Sequence, residues 1–182
     1  REGFAAEGRK VSYNDLILQA VATTLIEHPR LNAHFVDGQV HPHGEVDIGI
    51  ATDTAKGLLV PVLRGVDGLS VEQISAETRR LTEAARGGRT GPDDLTGGSF
   101  TLSNLGMFGI SRFTAILNPP QVAILAVGAI EHRVVAVDGS AMAVRPMLDM
   151  TLSADHRAVD GATAARFLQR LKEILESPGR LA

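Results

Sequence analysis

Two hydrophobic periods take turns along this chain, and that interleaving restricts its fold more than any other feature. Helical spacing joins Leu16, Ile17, Ala20, Val21, Thr24 and Leu25. It returns in Val71, Ile74, Thr78, Leu81 and Ala85, and again in Ala164, Leu168, Leu171, Ile174 and Leu175. Between these stripes lie strand patterns: Val46, Ile48 and Ile50 alternate with Asp47, Gly49 and Ala51, and further strands are predicted over 58–63, 99–104, 122–135 and 147–154. A strand of one face and a helix of one stripe must each bury their apolar side. The predicted fold class is therefore α/β (an α+β two-layer sandwich), a mixed β-sheet with helices packed on it.

Local signals mark where the elements begin and end. Ser12-Tyr13-Asn14-Asp15 and Ser70-Val71-Glu72-Gln73 read as capping boxes opening the first two helices, and Asp160 before Gly161 as the N-cap of the third. Pro29 and Pro178 stop the first and last helices. Pro61 places the 58–63 strand at an edge or on a bulge. The 86–98 stretch is a glycine-rich loop, with Pro92 opening a short helical turn. Residues 1–8 are polar and unpatterned, and no repeat or linker divides the 182 residues, so a single domain spanning 1–182 is expected.

Composition removes several function classes. A net charge of −3 offers no basic field to nucleic acid or to an anionic membrane surface. No apolar run reaches the roughly 18 residues of a membrane span. Cysteine is absent, which excludes disulfides, a cysteine nucleophile and thiolate metal sites, so any sulfur chemistry must use thiols brought by substrates.

The densest chemistry lies in Asp155-His156-Arg157-Ala158-Val159-Asp160-Gly161. His156 falls where a strand runs out and a helix is about to begin, a short anchored loop that can hold a general base. The plainer alternative is a surface polar cluster in which Asp160 only caps its helix. A second candidate is Ser103: alternation puts Phe100 and Leu102 on one face of a strand, Thr101 and Ser103 on the other, with Gly106 and Gly109 loosening the chain beyond. Its alternative is a hydroxyl bonded within a turn. His41 and His43 have a spacing that suits a metal, but no carboxylate pattern completes a site, so they read as exposed loop residues and no metal is expected. His28 reads as compensation of a helix C-terminus. No G-x-S-x-G, Walker or dinucleotide-binding fingerprint occurs.

The stretch 155–161 resembles the D-H-R-x-x-D-G signature of the 2-oxoacid dehydrogenase acyltransferases, whose fold is chloramphenicol acetyltransferase-like. Phe100-Thr101-Leu102-Ser103-Asn104-Leu105-Gly106-Met107-Phe108-Gly109 with Asn118-Pro119-Pro120-Gln121 is similar to a second family block. Ile48-Gly49-Ile50-Ala51 with Gly57-Leu58-Leu59-Val60-Pro61-Val62 is similar to a third. The likeness runs from about Val11 to the C-terminus. It implies that His156 is the base that deprotonates an attacking thiol, that Ser103 donates a hydrogen bond to the oxyanion, and that Asp160 orders the loop. Substrates would be coenzyme A and a lipoyl group carried on a separate domain, and no acyl-enzyme is required.

The same resemblance implies a homotrimer whose active site is a channel between subunits, with Ser103 and His156 contributed by different chains. Trimers of this family assemble into a cubic or dodecahedral core that works with a lipoyl domain and with decarboxylase and dihydrolipoamide dehydrogenase components. Acetyl is the first expectation for the acyl group and branched-chain acyl the second, with a bacterial cytoplasm favoured over a mitochondrial matrix. The family's usual N-terminal arm, lipoyl domain and peripheral-subunit-binding domain have no counterpart in the sequence. Where many relatives place basic residues for coenzyme A, this chain reads His41-Pro42-His43-Gly44-Glu45. Rival expectations are a noncatalytic scaffold or binding component of the same complexes, and an O-acetyltransferase of the chloramphenicol type.

Overall fold

The structure, a computed structural model, describes residues 11–137, 139 and 141–177. The expectations for 1–8 and for Pro178 lie outside the described residues. Helix α1 (Tyr13–Glu27) opens with the predicted box: Ser12 Oγ accepts from Asp15 N at 3.2 Å, and Asp15 accepts from Ser12 N at 2.8 Å. Helix α2 (Val71–Arg86) repeats it with Ser70 and Gln73, and helix α3 (Gly161–Glu176) is capped by Asp160. A 3-10 turn at Pro92–Leu95 sits where Pro92 predicted one.

Five strands form the central sheet in the order β11 (Met150–Ala154), β8 (Ala123–Val127), β7 (Phe100–Asn104), β3 (Ile48–Ile50) and β6 (Val62–Leu63). The inner pairs β8–β7 and β7–β3 are parallel, and the outer pairs β11–β8 and β3–β6 are antiparallel. The sheet is mixed, as expected. Helix α1 runs between α2 and α3 and contacts both. Its Leu18, Ala20, Val21, Ala22 and Leu25 are buried together with Ile74 and Leu81 of α2, Phe167 and Leu171 of α3, and Phe100, Leu102 and Leu125 of the sheet. A helix flanked on both sides buries more than one stripe, which is why Leu18 and Ala22 are inside although they lie off the predicted one.

Four differences from the sequence reading have clear causes. The 58–63 segment is two strands, β5 (Gly57–Leu59) and β6, because Pro61 cannot donate a ladder hydrogen bond; β5 pairs instead with β4 (Thr52–Thr54) in a separate hairpin. The 122–135 segment divides into β8 and β9 (Glu131–Val137) at Gly128. A Cβ there would lie 1.9 Å from the Ser111 carbonyl oxygen, so only glycine lets the crossing loop pass. β9 pairs with β10 (Ala141–Met147), an exposed strand that the pattern did not reveal. The hairpin of β1 (Ala33–Val36) and β2 (Gln39–Pro42) was likewise missed. Its signal was Asp37-Gly38, both at positive φ, the Asp-Gly turn of a tight hairpin.

Phe167 is completely buried, 6.0 Å from the Phe100 ring and edge-on to His28 at 5.7 Å, tying α3 both to the sheet and to the end of α1. Phe167→Ala should therefore cost about 3–5 kcal/mol. Urea unfolding monitored by circular dichroism checks this, with a lowered midpoint as the expected result.

Candidate active site

β11 carries the chain to the first candidate. Its ladder with β8 ends at Ala154↔Ala123, and Asp155 N extends it by donating to the Val122 carbonyl at 2.8 Å. The chain then turns: Ala158 N and Val159 N both donate to the Asp155 carbonyl, at 2.9 and 3.0 Å, and the Ala158 and Val159 side chains are buried in the core. His156 stands at the top of this three-residue turn with its ring exposed to solvent. The surrounding charges pair with one another and not with the imidazole. Arg157 donates to both Asp155 carboxylate oxygens, with Nη2–Oδ2 at 2.6 Å, and its guanidinium lies over the Phe35 ring at 4.2 Å. That pairing holds the Asp155 carboxyl below the ordinary carboxylate range.

Asp160 stands at the foot of α3. Its Oδ1 accepts from Thr163 N at 2.8 Å and its Oδ2 from Thr163 Oγ1 at 2.9 Å, and these bonds, the backbone N–H first, hold its carboxyl below the ordinary value. Asp160 is therefore a cap that ends the turn bearing His156. Such a group stabilises the folded chain above its unfolded pKa of about 3.9, and that contribution is lost as pH falls through the lower folded value.

Ser103 lies on β7, opposite Ala126 of β8. It is half-buried and lines a cavity of about 300 Å³ together with Asn14, Leu58, Arg86, Leu105 and Phe108. The turn that follows is closed by Asn104, not by Ser103: Asn104 Oδ1 accepts from Gly106 N at 2.8 Å, and Asn104 Nδ2 donates to Asn14 Oδ1 at 3.3 Å. Beyond it the loop is pinned to the exit of β8. Ala129 N donates to the Ile110 carbonyl at 2.8 Å, and a Cβ on Gly106 would meet the Gly128 carbonyl oxygen at 2.7 Å. Asn14, Asn104 and Gly128 carried no functional reading in the sequence, and Gly106, expected to loosen the chain, instead packs its backbone against Gly128. Only the loop's glycine content signalled the close approach.

The candidates occupy opposite ends of the sheet. β8 is the common neighbour: Ser103 is level with Ala126, and β11 reaches Ala123 before His156 extends two residues further. Three residues of strand and two strand spacings already put Ser103 about 14 Å from Ala154, two residues short of His156, far beyond hydrogen-bond reach. One chain cannot bring Ser103 and His156 to one reacting atom.

His41 is exposed, as expected, but on β2 and not in a loop; His43 lies in the loop just past that strand, as expected, but half-buried against the His34 ring at 4.2 Å. Burial lowers the His43 pKa, with the neighbouring His34 adding to the effect. His28 is the C-cap of α1 as expected, its Nδ1 2.9 Å from the Thr24 carbonyl oxygen. Among the described residues no group of three potential ligands could hold a metal, and no helix is long and apolar enough to cross a membrane.

The fold and the three sequence blocks are those of an acyltransferase catalytic domain, and comparison with known proteins agrees. The profile of the 2-oxoacid dehydrogenases acyltransferase (catalytic domain) matches residues 1–182, and the chain belongs to that family. The dihydrolipoyllysine-residue acetyltransferase component of the pyruvate dehydrogenase complex of Rickettsia bellii is 42% identical over 93% of this chain and 40% of its own length. The dihydrolipoyllysine-residue succinyltransferase component of the 2-oxoglutarate dehydrogenase complex of Haemophilus influenzae is 41% identical over 94% of this chain and 42% of its own. Among solved structures, the dihydrolipoamide acetyltransferase of Azotobacter vinelandii superposes with a TM-score of 0.91 at 41% identity, covering 97% of this chain and 73% of that one. A chloramphenicol acetyltransferase shares the fold at 18% identity, with a TM-score of 0.62 and coverage of 96% and 82%. The chain spans between 27% and 42% of the length of the curated relatives.

Two substitutions check the local architecture. Gly128→Ala should destabilise by roughly 1–3 kcal/mol through overpacking and loosen the 105–111 loop, read by thermal melting and limited proteolysis. Asp160→Ala should lower the Tm more than Asp160→Asn, and the Asn variant should lose the part of the acid destabilisation below pH ~4 that titration of this cap provides.

Proposed function

We propose that this chain is the catalytic part of a dihydrolipoamide acyltransferase, moving an acyl group, acetyl first and branched-chain acyl next, between a lipoyl thiol and coenzyme A. In the forward direction His156 accepts the proton of the coenzyme A thiol. The thiolate attacks the acyl carbonyl of the lipoyl thioester, and the negative charge that develops on oxygen receives a hydrogen bond from the Ser103 hydroxyl. Collapse of the tetrahedral intermediate breaks the old carbon–sulfur bond, and the departing lipoyl sulfur takes the proton back from His156. The protein keeps no covalent intermediate, in accord with a chain that has no cysteine.

The observation that carries the reading is the exposed imidazole of His156 on a turn whose other members are buried or paired. A histidine used for packing would be inside, and one used in a surface ion cluster would share its neighbours' contacts. The Azotobacter protein's structure was studied for the catalytic roles of a serine, a histidine and an asparagine, the last two four positions apart, as His156 and Asp160 are. The sheet-end separation of Ser103 and His156 supports a site shared between neighbouring subunits of a homotrimer. Such trimers would build a cubic or dodecahedral core serving a lipoyl domain, a decarboxylase and dihydrolipoamide dehydrogenase, in a bacterial cytoplasm. A noncatalytic scaffold has no use for a histidine held in this way. The 18% identity to chloramphenicol acetyltransferase concerns the fold alone.

Purified protein should transfer acetyl from acetyl-CoA to dihydrolipoamide. His156→Ala should reduce turnover strongly, and Ser103→Ala by roughly 10²–10³-fold, as for a lost oxyanion donor. Mixing the two inactive variants under conditions that exchange subunits should restore part of the activity, since some shared sites would then be intact. Wild-type rates in both variants would exclude the assignment; mixtures without recovery would exclude the shared site.

A further inference from the structure

We propose that Arg157 is a positioning residue for His156, closing a ring of contacts that fixes the turn on which the imidazole is carried. The inference rests on His156 being the base, and goes beyond it by assigning the neighbouring side chain a function in catalysis.

The ring can be traced bond by bond. On β1, Phe35 N donates to the Pro120 carbonyl at 2.8 Å, and Val122 N donates to the Ala33 carbonyl at 3.2 Å. Val122 in turn accepts from Asp155 N at 2.8 Å, so three backbone segments lie side by side, β1, 120–122 and the exit of β11. Arg157 then reaches back across the middle segment: its guanidinium is forked on Asp155 and stacked on Phe35, the residue at the far side. Arg157 N also donates to Asp155 Oδ1 at 3.0 Å, so the same carboxylate holds both the backbone and the side chain of the residue after His156. A further cation, Arg30, donates from Nη2 to the Ala158 carbonyl at 3.2 Å.

The geometry matters because Arg157 is 70% exposed. An arginine so accessible contributes little to stability through an ion pair alone. What it supplies is direction. His156 is flanked by two residues locked to each other, and the second is locked to a separate strand. Without the stack on Phe35, the Asp155–Arg157 pair would be a local fork free to pivot with the turn. With it, the turn is referenced to β1, which pairs with β2 and is bonded to the 120–122 segment. A planar guanidinium can fork and stack at once; an ammonium cannot.

The test combines a structural and a kinetic reading on the full chain. In Arg157→Ala, hydrogen exchange at the amides of Asp155, Ala158 and Val159 should accelerate about tenfold, while the α1 amides and the Tm stay close to wild type. In acetyl transfer from acetyl-CoA to dihydrolipoamide, kcat should fall about tenfold to a hundredfold, as for a catalytic group displaced by a fraction of an ångström to an ångström. KM for both substrates should change less than about twofold, because uniform binding is untouched. Arg157→Lys should be intermediate, and Phe35→Leu, which keeps the packing but removes the aromatic face, should move kcat and exchange in the same direction as Arg157→Ala. Added guanidinium should restore part of the Arg157→Ala turnover.

Unchanged exchange and kcat in Arg157→Ala would overturn the proposal. So would a kcat loss that follows Tm across the three variants, which would mark a purely structural arginine. Should Arg157→Ala fail to fold, Arg157→Lys and Phe35→Leu decide by the same readings. Freed amides in a chain whose wild type transfers no acyl group would instead overturn the base assignment, and with it this role for Arg157.

Discussion

β8 is buried along its whole length, from Ala123 to Val127, and it dictates where every functional group can be. A strand with neighbours on both sides satisfies its backbone only if those neighbours hold register, and here they run in opposite senses: β7 parallel, β11 antiparallel. Opposite senses send the chain out at opposite ends. The exit of β7 carries Ser103 and the loop after it, and the exit of β11 carries His156. The separation of the two candidates is therefore a consequence of strand direction, not of loop conformation, and no rearrangement of side chains removes it. A local slip of register would turn Leu102 and Leu125 away from the helices, which the fully buried core forbids.

The same strand governs the loop beyond Ser103. Gly128 ends β8 in a position where the Ser111 carbonyl crosses close by, and Gly106 approaches the Gly128 carbonyl from the other side. Arg133, Glu131, Asp149 and Arg112 form a partly exposed charge network beside this crossing, and Ser111 bonds Glu131 within it. Ser153 Oγ donates to the Ala115 carbonyl at 2.8 Å. The extended segment from 105 to 118 is thus fastened at several points despite having no regular hydrogen-bonded structure over most of its length. Such fastening is what a donor to a short-lived oxyanion requires, since a donor that must reorganise gives up its advantage.

Much of this was readable in the residues, and what was not has a common cause. Caps at Ser12, Ser70 and Asp160 were legible because a capping side chain and its partner lie three residues apart. Strands β3, β7 and β11 showed alternation because the apolar side chains of one face join the core while the other face carries glycine or hydroxyl side chains. Reading failed where a partner elsewhere in the chain determines the outcome. β9 and β10 pair mainly with each other and carry Val134 and Val144 on an exposed face, so their pattern follows no core. Phe167 lies on the face of the predicted α3 stripe, between Ala164 and Leu171, but nothing in the sequence marked it as the side chain that meets Phe100 and His28, residues far away in sequence. His156 and Ser103 could be named from sequence, and the family resemblance implied that they belong to different chains; the physical reason they cannot meet in one chain is the sheet order.

Exposed apolar side chains complete the physical picture. Ile116 is 91% exposed and Met107 69%, both in the segment fastened beyond Ser103, and Met142, Val134 and Val144 are similarly open on the β9–β10 hairpin. Scattered apolar residues on a surface need no explanation, but a fastened segment that displays them does, because water gains nothing from holding them in place. A two-stranded ribbon is also marginal by itself. Both features become reasonable if another copy of the chain covers them. The end-to-end placement of Ser103 and His156 asks for the same thing independently under the proposal that each is half of a shared site. Burial of surface and the proposed chemistry thus favour one arrangement, in which the contacts that would hold subunits together would also bring His156 of one to Ser103 of the next.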